Sequence, residues 1–205
     1  MDYKRTKIPF LDNALIREKA DDFRLEYSND SLPLDIERII DVKLKIDIIP
    51  LQNLHDHCDA DALITSNWDA IYVDYKRFVD DRYQNRLRFS FAHEIGHFVL
   101  HKDIYNSFKI KSEKDFYNLI KNIPELQYGY LEKQANMFAN NLLIPRKKLI
   151  EESKKIKNNP DIKKLLISNN IDEQSLNPYI SIPLSKKFMV SEEAIEIALK
   201  NIDNT

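Results

Sequence analysis

The segment Arg86-Leu-Arg-Phe-Ser-Phe-Ala-His-Glu-Ile-Gly-His97 contains the pattern His-Glu-x-x-His. The pattern carries chemistry only on a helix, where an offset of four sets His93 and His97 one turn apart on one face and lets both imidazoles grip one zinc ion. Five His in 205 residues give a pair at that offset only about 0.1 times by chance, and requiring Glu94 after the first lowers this below about 0.02. The flanking sequence agrees with a helix. Asp80 or Asp81 can cap it, and Leu87, Phe91, Ile95 and Phe98 recur every three to four residues. The spacing predicts a helix over about Arg82 to His101, with an apolar face turned inward and the His face beside it. Gly96, just before His97, leaves room for a close neighbour there.

Zinc in hydrolases takes three protein ligands and keeps a fourth position open for water. His101 is eight residues from His93, about 12 Å along a straight helix, too far to share one ion, and reads as a helix-terminal histidine. A third His six residues after His97 is excluded, because position 103 is Asp and position 100 is Leu, not Gly. A carboxylate from elsewhere is therefore required. Tyr130-Leu-Glu-Lys-Gln-Ala-Asn-Met-Phe-Ala-Asn-Asn-Leu-Leu-Ile-Pro145 reads as a second helix ended by Pro145. Glu132, Ala135, Asn136 and Ala139 share a face of it. The small Ala135 and Ala139 permit close approach, Glu132 is the candidate third ligand, and Asn136 is placed to hydrogen-bond a ligating histidine. Without the first motif, Glu132 would read as an ordinary surface residue.

The expected chemistry is peptide hydrolysis by a metal-activated water, with Glu94 as general base. Tyr128 and Tyr130 are both near Glu132 in sequence, and the sequence does not choose between them as a donor to the developing oxyanion. Ala70 to Asp74 reads as a strand. If it is an exposed edge, an extended substrate would pair with it, which makes Ala70, Ile71 and Tyr72 candidate substrate-binding residues. A second His-rich cluster, His55-Asp-His-Cys-Asp59, lacks a matching second pair of ligands and reads as a solvated loop. The charged run Arg146 to Lys155 reads as a solvated helix face.

Several separated segments resemble the ImmA/IrrE family of zinc metallopeptidases, of the gluzincin type. Arg88-Phe-Ser-Phe-Ala-His-Glu-Ile-Gly-His-Phe-Val-Leu-His101 is similar to the family's R-F-[ST]-x-A-H-E-[LI]-G-H-x-x-L-H, and Glu132 to Pro145 to its E-x-x-A-N-x-F-A-x-x-L-L-M-P. Leu32-Pro-Leu-Asp-Ile-Glu-Arg-Ile-Ile40 and Phe188-Met-Val-Ser-Glu-Glu-Ala194 are weaker matches at the two ends. Carried over residue by residue, the resemblance implies His93, His97 and Glu132 as zinc ligands and Glu94 as base. It further implies a helix-turn-helix transcriptional repressor as substrate. The rival class is a non-catalytic zinc-containing regulator that binds such a repressor; intact Glu94 favours the enzyme, since a structural site needs no base. Asn136 fits this family although other gluzincins often have Asp there. The polar stretch from about Lys154 to Ile182, with Pro160 and Pro178, matches nothing in the family and is the candidate for partner choice.

Composition sets the remaining bounds. Charged residues are 31% of the chain, the net charge is −2, and no basic block occurs, which argues against direct nucleic-acid binding. The lone Cys58 excludes an internal disulfide, and no apolar run near the N-terminus suits a signal or membrane helix, so a cytoplasmic location is expected. Helices are expected near Leu15 to Tyr27 and Leu34 to Val42, then a strand from Lys43 to Leu51. A hairpin of Ala62 to Ser66 with Ala70 to Asp74 follows, turning at Asn67-Trp68-Asp69. Later come a helix over Lys147 to Ile156, a polar connector around Asn158 to Pro160, and a last helix capped by Ser191. The expected fold class is α+β: an N-terminal arm (1–13), a mainly helical zincin-like core (14–146) with a small β-sheet preceding the motif helix, and a small helical C-terminal region (147–205).

Overall fold

Short apolar runs bounded by polar turns build one small sheet. In the computed structural model, which describes residues 3–160, 162 and 176–203, the strands are β1 (Asp47–Leu51), β2 (Ala62–Ile64) and β3 (Ala70–Asp74), in the order β1-β3-β2. β1 runs parallel to β3 with Ile48 opposite Ile71, and β2 runs antiparallel to it with Leu63 opposite Tyr72. The hairpin expected at Asn67-Trp68-Asp69 is present. Trp68 takes a left-handed backbone (φ 61), and the Thr65 hydroxyl donates to Asp69 Oδ1 at 2.5 Å. Ile71 and Val73 are fully buried, as suits a strand with neighbours on both sides.

Two elements around the sheet differ from the sequence reading. The strand expected from Lys43 begins only at Asp47, because the helical segment α2 (Ile36–Arg38) continues as a wider turn through Ile39–Leu44 and is stopped by Lys45 in a left-handed conformation. Ile36 and Ile40 are fully buried there, so packing holds the segment helical. The expected loop at His55 to Asp59 is the short helix α3 (Leu54–Cys58). Left-handed Asn53 and Asp59 bracket it, and buried Leu54 and Cys58 anchor it.

The motif helix is α5 (Gln84–Leu100), entered through α4 (Tyr75–Phe78) and a tight turn at Asp81–Tyr83. The Asp80 carboxylate accepts from Arg82 N–H and caps that turn, so the helix expected from Arg82 begins only at Gln84, with Tyr83 rather than Asp80 or Asp81 at its N-cap. Leu87, Phe91 and Ile95 are buried, each contributing about 1.5–3 kcal/mol of burial. α6 (Lys102–Phe108) and α7 (Glu113–Asn122) follow, the latter capped by Ser112. The second site helix, α8 (Glu125–Leu143), starts earlier than predicted, because Pro124 opens it: its carbonyl accepts from Gln127 and Tyr128 N–H. α1 (Asn13–Tyr27) lies behind, with the Phe23 ring edge-on to Phe138 at 6.1 Å and buried Arg24 donating to the Leu142 carbonyl near the end of α8.

These elements belong to one of two compact units, Met1–Asp30 with Asp35–Leu142; the other is Ser31–Leu34 with Leu143–Thr205. The second unit contains α9 (Arg146–Lys157), α10 (Asn177–Phe188) and α11 (Glu192–Asp203), which pack on one another. Glu152 of α9 accepts from Lys155 and from Lys187 of α10, and Ser191 caps α11 through Ala194 N–H. Of the polar stretch Lys154 to Ile182, residues 161 and 163–175 lie outside the described residues. Among the described residues no helix is long and apolar enough to cross a membrane. The fold is α+β and mainly helical, with the small sheet preceding the motif helix, as expected.

Candidate metal centre

His93 and His97 project from one face of α5, and their Nε2 atoms stand 3.0 Å apart. Glu132 comes to them from α8: its Oε2 is 3.2 Å from His93 Nε2 and its Oε1 is 3.6 Å from His97 Nε2. The two helices meet closely because Gly96 has no side chain. A Cβ there would lie 3.0 Å from Ala135 Cα and 3.1 Å from its carbonyl oxygen. The expected roles of Gly96 and Ala135 in close packing are thus both met.

The donor set suits a tetrahedral ion. Three ligands about 2.0–2.1 Å from a zinc ion would be separated by about 3.4 Å, close to the three spacings found. Each imidazole also has its other nitrogen engaged. His93 Nδ1 is 2.8 Å from Asn136 Oδ1, and since that oxygen only accepts, Nδ1 carries a proton, which leaves Nε2 as the nitrogen that would bind an ion. His97 Nδ1 is 3.1 Å from Nδ1 of His101, whose Nε2 is 2.9 Å from Gln134 Oε1. His101, at the C-terminal end of α5 and 1% exposed, is therefore an outer partner of a site histidine. Its i, i+4 spacing from His97 was the signal that could have shown this.

Glu94 lies in the same cluster, its carboxylate within 4.8 Å of both imidazoles. Two carboxylates are thus available to an ion. Glu132 is the better placed, since Glu94 Oε2 already accepts from the Ile64 N–H of β2 at 2.8 Å. Burial, together with the negative charge of Glu132, pushes the Glu94 carboxyl up to about 8, against the opposing pull of His93 and the Ile64 N–H. A carboxyl titrating there can accept and release a proton near neutral pH. Burial acts to lower His93, but its hydrogen bond and charge pairing with Glu132, aided by Glu94, lift it to about 9 in the absence of metal. Burial holds His97 well below its ordinary value, with the neighbouring His93 and His101 adding to the effect. The Tyr105 ring stacks on His97 at 5.0 Å and walls the site on that side.

A cleft of about 440 Å³ opens over the cluster, lined among others by Ala62, Phe89, Tyr128 and Asn136. Tyr128 sits one turn before Glu132 on α8, and its hydroxyl is raised by burial and by the charges of Glu132 and Glu94, so it stays a donor. Tyr130, 45% exposed, is not among the cleft residues. The expectation for Ala70, Ile71 and Tyr72 is corrected. β3 is the central strand and pairs with β1 and β2 on its two sides, so it has no open edge for a peptide. Among the described residues His55 and His57 join no metal-like cluster.

Residues 80–200 match the IrrE N-terminal-like domain of the Peptidase_M78 family. The match spans more than half of the chain, and the chain belongs to that family, one of peptidases of the IrrE kind. Comparison with curated proteins returned no match.

Proposed function

We propose that the chain is a cytoplasmic zinc endopeptidase that cleaves a helix-turn-helix transcriptional repressor and so relieves repression. The observation that carries the reading is the triangle of His93, His97 and Glu132 with a buried carboxyl, Glu94, beside it in an open cleft. A zinc ion held by those three residues would supply a Lewis acid and an activated water. Glu94 takes a proton at its carboxylate and returns it to the leaving amine. Tyr128 donates its hydroxyl proton toward the oxyanion side of the cleft. The family supports a protein substrate; its identity as a repressor rests on the resemblance of the motif segments. The 147–205 region, with its 154–182 stretch, is proposed to recognise that partner.

The strand that receives the substrate is β2. Thr65 N–H bonds Ala70 O and Asp74 N–H bonds Asp61 O, so the odd-numbered residues of β2 face β3. The alternating pattern of an antiparallel ladder then directs the amides and carbonyls of Ala62 and Ile64 to the open edge. Ile64 N–H is taken by Glu94, which leaves Ala62, a cleft residue, to pair with an extended peptide.

The test compares wild type, Glu94→Gln and Tyr128→Phe for zinc content and for cleavage of a purified helix-turn-helix repressor. Both variants should keep zinc, with kcat at least about 100-fold lower in Glu94→Gln. Cleavage by Glu94→Gln at the wild-type rate would sink the mechanism, and binding without cleavage by the wild type would favour the regulator.

A further inference from the structure

We infer that the N-terminal arm is a positioning element of the metal site: residues 8 and 9 hold Gln127 and Gln134 of α8, and a relay Pro9–Gln134–His101–His97 sets which nitrogen of His97 is bare, so that metal loading and arm docking stabilise each other. The inference rests on the reading of His93, His97 and Glu132 as metal ligands.

The direction of the relay follows from its far end. Pro9 O is a backbone carbonyl and can only accept, and Gln134 Nε2 donates to it at 2.8 Å. That contact fixes the amide, so Oε1 is the atom facing His101 Nε2 at 2.9 Å, and His101 Nε2 must carry a proton. His101 is 1% exposed and its two ring nitrogens face only the neutral Gln134 amide and His97, with no carboxylate among the described residues to pair with a charge, so the ring is neutral and its Nδ1 is bare. It therefore accepts from His97 Nδ1–H across 3.1 Å. His97 Nε2 is left with the lone pair that points at Glu132 and His93. Every donor faces an acceptor only in this setting.

The relay has one alternative setting. If Pro9 withdraws, Gln134 is free to rotate its amide and present its NH2 group to His101. His101 then carries its proton on Nδ1 and donates it to His97 Nδ1, and His97 places its own proton on Nε2. Each ring keeps one proton and no charge changes, yet the ligand atom is now blocked. Gln134 and His101 are 6% and 1% exposed, so solvent has little access to substitute for the lost partner.

The arm is held at further points. Ile8, itself buried, donates its N–H to Gln127 Oε1 at 2.7 Å, and the Tyr3 hydroxyl donates to the Phe108 carbonyl at 3.1 Å. Gln127 and Gln134 are seven residues apart, two turns of one helix side, while Glu132 projects about 150° away toward the cleft. One short segment thus fixes the helix that carries Glu132 and aims the ring of His97.

Linkage requires reciprocity: if docking favours metal, metal must favour docking by the same factor. The protein is titrated with zinc against a chromophoric chelator, its cobalt form is read by absorption, and trypsin cleavage after exposed Lys7 is timed with and without zinc. In the wild type zinc should slow cleavage after Lys7. Gln134→Leu should weaken zinc by about 10–100-fold, change the cobalt spectrum and remove the effect of zinc on arm cleavage. Gln134→Glu accepts from His101 but cannot donate to Pro9, so it should release the arm while keeping zinc affinity within a few-fold of wild type. Gln127→Ala should loosen the arm and weaken zinc only as far as the undocked form becomes populated, by no more than the factor by which zinc protects the arm in the wild type. Arm cleavage that ignores zinc in the wild type, or a Gln134→Leu protein with unchanged zinc affinity and cobalt spectrum, overturns the proposal. A wild type that holds zinc no better than His97→Ala instead overturns the reading of the site itself, and the relay with it.

Discussion

Two histidine pairs in this molecule meet opposite ends. On α5 an offset of four puts His93 and His97 on one face, and their Nε2 atoms converge. On α3 an offset of two turns the side chains about 160° apart, and each ring finds its own carboxylate. His55 Nδ1 lies 3.3 Å from Asp61 Oδ1, and His57 Nδ1 is 2.5 Å from Glu113 Oε1. The outer partners differ as well. Asn136 and His101 are neutral groups that occupy Nδ1 and leave Nε2 open, whereas the α3 rings face acids that do not converge. A donor set therefore needs two things: an offset matched to the helix, and a partner behind each ring that fixes its tautomer.

The comparison breaks most readily at the proposed ligands. His97→Ala should lower zinc affinity by more than about 100-fold, beyond the loss typical of an outer partner, and abolish cleavage. His57→Ala should change neither. Chelator competition on the two purified variants reads the difference, and a comparable loss in His57→Ala would end the distinction. The next effect is that of Asn136→Ala, which leaves all three proposed ligands but frees the His93 ring. Zinc affinity should fall by about 10–100-fold. Asn136→Asp, which still accepts from Nδ1, should restore most of it, and failure of that rescue would mean that Asn136 acts through packing.

Much of this site was legible in the sequence because helical spacing converts directly into geometry. His93, Glu94 and His97 needed only the period of α5, and Glu132 with Asn136 needed only the inference of a second helix ended by Pro145. What the sequence did not carry was pairing. Ala70 to Asp74 reads correctly as a strand, but its place between β1 and β2 depends on β1, whose contact with it is long-range and parallel. The edges consequently fell to β1 and β2, and β2 is the one whose backbone meets Glu94. The bond from Ile64 N–H to Glu94 is a backbone contact, invisible in residue identity. Gln134 and His101 read as one polar helix residue and one helix end, since nothing local shows that Pro9 lies beside them. The helix at Leu54–Cys58 was hidden by its polar letters, its two buried anchors being too few to make a period.

Gly96→Ala sharpens the comparison at the level of packing, since α5 owes its site to close approach and α3 does not. The added Cβ meets backbone atoms of Ala135 at 3.0 and 3.1 Å, which cannot swing aside as a side chain would. Overpacking costs about 1–3 kcal/mol, and a better helix former regains at most about 1. The net expectation is a loss of about 1–2 kcal/mol in urea unfolding, with zinc affinity reduced because Glu132 is carried away from the histidines. An unchanged midpoint would show that α8 can shift freely and that the close approach is incidental.

The smallest effect belongs to the stability of His57→Ala. The His57 and Glu113 side chains are 58% and 26% exposed, so water screens their attraction, and pairs of this kind contribute about 0–1 kcal/mol. Glu113 also stands in the first turn of α7, where its charge is favoured by the helix N-terminus with or without a partner. The Cys58 thiol approaches the Glu113 carbonyl at 3.8 Å, a contact that His57 does not supply. Removal of the ring should thus cost less than about 1 kcal/mol at low salt, and less still at 1 M salt, where the Debye length is about 3 Å. A loss of several kcal/mol that persisted at high salt would mean that the α3 pair is as deeply built into the fold as the α5 pair, and that exposure does not separate them.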